Sequence, residues 1–298
     1  MTFTGVGRIG THAAYRDEAV VLLIRTDIAD NEALAEEMCG AFDYGHINPR
    51  TLSEAEVSDL LDKLVPTKEI SGHHIGRFLS SIGQEHPLKI YEFIIGRLDH
   101  SAALVTRDEG EKGYVPVPHT GFGTNFHVLQ QSPDYGRFLA QVRDRLITQP
   151  EQGYWLTQLF WAIGGLDTPT LSTLDEWLHS GEKPKIRAII NLISSAPQEF
   201  ALARPFFALH AIEECQPVDE DLGRRAASVL IGNAHAGAFQ RAVGQPSPRY
   251  VAMGERAGEL RDKFTPGTIG HQFFSRLHDS AVSRLEQERI EDEELEFE

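Results

Sequence analysis

Apolar residues recur along this chain at spacings of three and four, the period of one helical face. Over 31–42, Leu34, Met38 and Phe42 stand four apart. Ser53 with Glu56 three residues later has the form of a capping box, which starts a helix by satisfying backbone donors reciprocally. Val57, Leu60, Leu61 and Leu64 then mark one face until Pro66 stops it. A helix over 74–82 carries Ile75, Phe78, Leu79 and Ile82. Pro87 opens the next, since proline at a first helical position forfeits no hydrogen bond. Ile90, Tyr91, Ile94, Ile95 and Leu98 line its face.

That apolar helix, proline, apolar helix rhythm repeats. Phe126 and Leu129 precede Pro133 and a helix bearing Phe138, Leu139, Val142 and Leu146. Trp155, Leu159, Phe160 and Ile163 precede Thr168-Pro169 and a helix bearing Leu171, Leu174 and Leu178. Ile186, Ile189, Ile190 and Ile193 precede Pro197 and one helix carrying Phe200, Phe206, Leu209 and Ile212. The gaps between Pro87, Pro133, Pro169 and Pro197 are 46, 36 and 28 residues, irregular but of helix-pair size. Helices follow at about 222–234, 250–264 and 269–288. Strand signals are few. The segment 20–25 is open to either reading, and the prolines of 114–118 bar it from a sheet interior.

Short helices joined by proline- and glycine-containing turns fit stacked pairs better than a long-helix bundle. From Ser53 to Ile212 the pattern resembles the HEAT and armadillo-like α-solenoids. The resemblance implies an all-α fold, a right-handed α-solenoid of stacked antiparallel helix pairs with an irregular period. More faintly, the texture is similar to helical regions that accompany bacterial signalling or defence NTPases. The expected organisation is an N-terminal arm over 1–12, a solenoid over 13–285 with an insertion at 106–125, and an acidic tail over 286–298.

Composition narrows the function classes. The 298 residues are 41% hydrophobic and 24% charged, a globular balance, and carry a formal net charge of −16. Such an excess of acid disfavours general binding to a phosphate backbone. Arg137, Arg143 and Arg145 form the one local basic candidate. From Glu286 onwards eight acidic residues stand against the single Arg289, the mark of a self-repelling segment that frays. The longest strongly apolar run, 20–24, is far short of the roughly 20 residues a membrane span needs. Cys39 and Cys215 have neither metal nor disulfide spacing, and the expectation is a cytoplasmic chain with buried thiols.

Candidate chemistry is thin. Gly5, Gly7 and Gly10 spell G-x-G-x-x-G with Asp27 downstream. A dinucleotide site needs a buried strand before the first glycine, and only four residues, two of them threonine, stand there. No Walker-type Gly-Lys-Ser/Thr, H-E-x-x-H or G-x-S-x-G occurs. His210, Glu213 and Glu214 share a helical face at i, i+3 and i+4. A metal needs three or four converging ligands, and with no second matching motif no metal or cofactor is expected. His73, His74 and His86 bracket one helix. Trp155 and Trp161, six apart, point to different sides of theirs.

The segment 106–125 interrupts the helical array with four glycines. Long loops in compact domains are often functional. Tyr114, His119 and Phe122 on it are candidate partner-binding residues, aromatic anchors on an adaptable backbone. These features point to a non-enzymatic scaffold or regulator, alone or within a multi-component bacterial system, whose partner is a protein with a basic surface. Two alternatives stand beside it. One is a hydrolase with a dispersed His and carboxylate site, which a deep pocket around His210 would favour. The other is a nucleic-acid-binding solenoid, which needs a basic stripe.

Overall fold

The computed structural model describes residues 15–28, 31–43, 47–106, 113–118, 126–236, 241–242 and 244–296. Among them the chain holds fourteen α-helices and no strand. The segment 20–25 falls inside a helix, which closes the question left open there. Contacts divide the chain into two compact units, Met1–Gly165 and Leu166–Glu298, where the sequence suggested one array over 13–285. The arm over 1–12 and its glycine motif lie outside the described residues.

The first unit contains α1 (Arg16–Arg25), α2 (Glu32–Asp43), α3 (Glu54–Leu64), α4 (His73–Glu85), α5 (Pro87–Thr106), α6 (Tyr135–Thr148) and α7 (Gly153–Ile163). Helix α3 packs against α1 and α5, α4 against α2 and α5, and α6 against α7. The capping box forms as the sequence predicts. Glu56 N donates to Ser53 Oγ at 3.3 Å, and Ser53 N donates to Glu56 Oε2 at 2.7 Å. Behind it Val57, Leu60, Leu61 and Leu64 are all buried. Phe42 meets Phe78 at 4.8 Å between ring centroids, and Tyr91 stacks on Phe138 at 4.6 Å. Burial of each such side chain stabilises the fold by roughly 1.5–3 kcal/mol.

Helix α4 begins without a capping side chain of its own, since its N-cap is Gly72. Glu36 on α2 supplies one from across the unit. Its carboxylate accepts from His74 N at 2.7 Å and Ile75 N at 3.0 Å, satisfying donors that the helix leaves open. The absence of a Cβ at position 72 makes this possible, because a methyl there would overlap the Glu36 carboxylate.

The second unit contains α8 (Thr168–Leu178), α9 (Lys183–Ile193), α10 (Phe200–Ala203), α11 (Pro205–Val218), α12 (Glu220–His235), α13 (Pro248–Arg261) and α14 (Ile269–Glu296). Asp167 caps α8, accepting from Thr170 N at 3.0 Å. Helix α8 packs on α9 and α11 packs on α12. Between those pairs, α8 lies against α11 and α9 against α12. Gly223 permits the close approach of α12 to α11, since a Cβ there would sit 3.1 Å from Gln216 Cα. Helix α14 packs on α13, α12 and α11.

Two sequence expectations need correction here. The single helix expected from Pro197 through Ile212 is two, α10 and α11. Pro205 has no backbone N–H and disfavours helical geometry at the residue before it, and Arg204 sits at φ −126°, ψ 56°. The acidic stretch from 286 is not a separate tail over its described part, because 286–296 continue α14. Arg241 holds it. Arg241 Nη1 donates to Asp292 Oδ2 at 2.6 Å, and Arg241 Nη2 donates to Glu288 O at 3.2 Å. Glu288, 8% exposed, accepts from Ser247 N at 2.9 Å.

Candidate functional site

Of the three proposed anchors on the 106–125 segment, His119 and Phe122 lie outside the described residues. Tyr114 is described and is not a surface anchor: it is buried. Its hydroxyl donates to Val65 O at 2.6 Å. Its ring centroid lies 4.7 Å from the guanidinium carbon of Arg97, a residue 0% exposed.

Arg97 on α5 accounts for this placement. Its Nη1 donates to the carbonyls of Leu64, Val65 and Thr67 at 2.8, 2.9 and 2.7 Å. Those carbonyls end α3, where helical acceptors run out and the helix dipole is negative. Its Nε donates to Pro116 O at 3.1 Å and its Nη2 to Val115 O at 2.6 Å, which fastens 113–118 onto the unit. Burial pushes the guanidinium down to about 10, still charged at neutral pH. The cation serves backbone carbonyls, and its role is architectural.

Among the described residues, two clusters of ionisable side chains bring together an aspartate and two histidines. In the first unit, Asp43 at the end of α2 meets the start of α4. His74 Nδ1 is 2.7 Å from Asp43 Oδ2, and Arg77 Nε is 2.8 Å from Asp43 Oδ1. His73 Nε2 stands further off, at 3.7 Å. The Asp43 side chain is only 6% exposed, so its charge is neutralised inside the unit.

In the second unit, Asp175 on α8 lies between two imidazoles. His210 Nε2 on α11 is 2.9 Å from Asp175 Oδ1. His179 Nδ1 is 3.3 Å from Asp175 Oδ2 and 3.0 Å from Asp175 O. A carbonyl only accepts, so His179 Nδ1 carries a proton and Nε2 is the basic nitrogen of the neutral ring. The two rings lie 4.8 Å apart between centroids. Glu214 Oε1 stands 3.9 Å from His210 Nδ1. The Asp175 carbonyl first, and then the Asp175 and Glu214 charges, raise the His179 pKa above the ordinary histidine value.

The sequence identified only part of this second cluster. His210 and Glu214 were visible at i, i+4. Asp175 and His179 have the same spacing on α8, but nothing in one dimension ties that helix to α11. Only the packing of α8 on α11 joins the pairs.

Elsewhere, Cys39 and Cys215 are free and buried. Burial pushes the Cys39 thiol well up and the Cys215 thiol up to about 12, so neither is a ready nucleophile. Arg137, Arg143 and Arg145 are each paired with an acid: Asp134 at 3.3 Å, Asp144 at 2.9 Å and Asp99 at 2.9 Å. Arg143 is also buried, so the three do not present a basic stripe. No helix among the described residues is long and apolar enough to cross a membrane.

No protein-family model, curated protein or solved structure matches this chain.

Proposed function

We propose that this chain is a non-enzymatic, HEAT-like helical-repeat protein that binds another protein as a scaffold or regulator. The observation that carries the reading is an aromatic corner on α7. Tyr154 is 61% exposed and stands edge-on to the half-buried Trp155, 4.9 Å between centroids. Ile147, at the end of the preceding helix, is also exposed. Water gains nothing from solvating such rings, and protein interfaces concentrate their energy in tyrosine and tryptophan.

The proposal takes the stack to be a right-handed solenoid of antiparallel pairs; its stacking of helix pairs draws support from the layering of the second unit. There the first helices of two pairs meet each other, and the second helices do likewise, as in stacked repeats. A net charge of −16 favours a partner with a basic surface. Two free, buried cysteines accord with the cytoplasm as the working compartment.

The hydrolase reading has one observation in its favour, the meeting of His210 with His179 and Asp175. The cavities beside Gln216 and Arg224, beside Gln198 and Arg249, and beside Glu32 and Glu69 are lined by other residues than that trio. The test of the binding reading is photocrosslinking from position 154 in the native host. A crosslinked protein partner that is lost on Trp155→Ala, with the variant's melting preserved, supports it. Absence of any adduct at 154 argues against the corner as the binding surface.

A further inference from the structure

We propose that Asp175, His179 and His210, with Glu214 beside His210, form a binding site for one divalent transition-metal ion of the zinc, cobalt and nickel class. The ligand atoms of Asp175, His179 and His210 all lie within 4.8 Å of one another. Two imidazoles and a carboxylate are the donor set that such borderline ions prefer, and Glu214, on the Nδ1 side of His210, is an outer partner of that ring.

The spacing fits. A tetrahedral ion holding N and O ligands at roughly 2.0–2.2 Å separates neighbouring ligand atoms by about 3.3–3.5 Å. The imidazole-to-carboxylate distances here are 2.9 Å for His210 and 3.3 Å for His179. An ion enters by replacing the proton shared between His210 and Asp175, and the three ligand atoms, within 4.8 Å of one another, close to that spacing around it. To ligate through Nδ1, His179 gives up its hydrogen bond to the Asp175 carbonyl and carries its proton on Nε2 instead.

The other Asp-His-His cluster provides the internal contrast. Asp43 has Arg77 at 2.8 Å on one oxygen and His74 at 2.7 Å on the other, and the fixed guanidinium repels an incoming cation. No Lys or Arg among the described residues pairs with Asp175 or Glu214. Their two negative charges face imidazoles alone. Asp175, His210 and Glu214 are half-buried and His179 is exposed, so an ion reaches them from solvent. His210 has no metal motif of its own in the sequence; Asp175 and His179 of α8 supply the other ligands.

Calorimetric titration of the chelator-treated full chain with Zn2+ near neutral pH tests the proposal. The expected result is one saturable equivalent. His179→Gln and His210→Gln should each weaken it by more than the roughly 10–100-fold that loss of an outer partner costs. His73→Gln, in the other cluster, should leave binding unchanged. Melting curves identify any variant that fails to fold. A second readout needs no variant: Co2+ should give the intense visible absorption of a four-coordinate site and shift the resonances of two histidine rings. No saturable binding, binding that survives in the His179→Gln/His210→Gln double variant, or binding abolished by His73→Gln overturns the assignment.

Discussion

Tyr114 covers Arg97: its ring lies 4.7 Å from the guanidinium carbon, and its hydroxyl reaches Val65, whose carbonyl Arg97 also binds. Side chain and cation thus share an acceptor at the end of α3. The segment 113–118 is drawn into the first unit by chemistry that its own sequence does not display.

Tyr114→Phe should cost about 1 kcal/mol, the worth of one hydrogen bond in a buried setting. Tyr114→Ala should cost roughly 3–5 kcal/mol, as for other buried rings. Arg97→Leu should be at least as damaging, because it leaves several buried carbonyls without a donor. Urea melts of the three variants test the order. A Tyr114→Ala variant that melts like wild type would show the ring to be peripheral.

Glu36 and Gly72 act as one device at the start of α4. Glu36→Ala should cost about 1 kcal/mol through the lost cap. Gly72→Ala should cost a similar amount by displacing the same carboxylate. Because both remove one interaction, the double variant should be less destabilised than the sum, a non-additivity that denaturant titration measures directly. Full additivity would separate the two residues.

The contribution of His235 to the second unit should be lost as pH falls through the histidine range. His235 is 2.8 Å from Ser280 Oγ and tilted over Tyr250, with Arg249 and Arg284 nearby. Burial first, and then those two arginines, lower its pKa below the ordinary 6.5. The unfolded chain therefore binds the proton more readily than the folded one. The contribution is complete above about pH 6.5 and declines below it, towards the folded-state value. His235→Gln should flatten stability against pH in that window. An unchanged slope would exclude His235 as its source.

Arg241 is the clasp of the acidic end of α14, and its charge is held by Asp292 first. Arg241→Ala should raise amide exchange over 286–296 while leaving α13 protected, since α13 and α14 share their own apolar contacts. High salt should weaken protection there in the same direction. Equal exchange in variant and wild type would mean that Ser247 and Glu288 suffice.

The helical character of the chain, most helix starts and the buried faces follow from the order of residues alone. Ser53 with Glu56, Pro87 at a first position, and the Ile186–Ile193 spacing are local signals, set by hydrogen bonds and side chains within a few residues. Pro205 was equally local, and its break was legible to anyone weighing the missing N–H over the apolar spacing around it. Relations between distant positions come from packing. Glu36 caps a helix 38 residues away, Arg97 gathers carbonyls from two segments, and Asp175 meets His210 only because α8 lies on α11. Periodicity records which face of a helix is apolar. It carries no record of which other helix that face meets, and charged groups come together only after the apolar faces have chosen their partners.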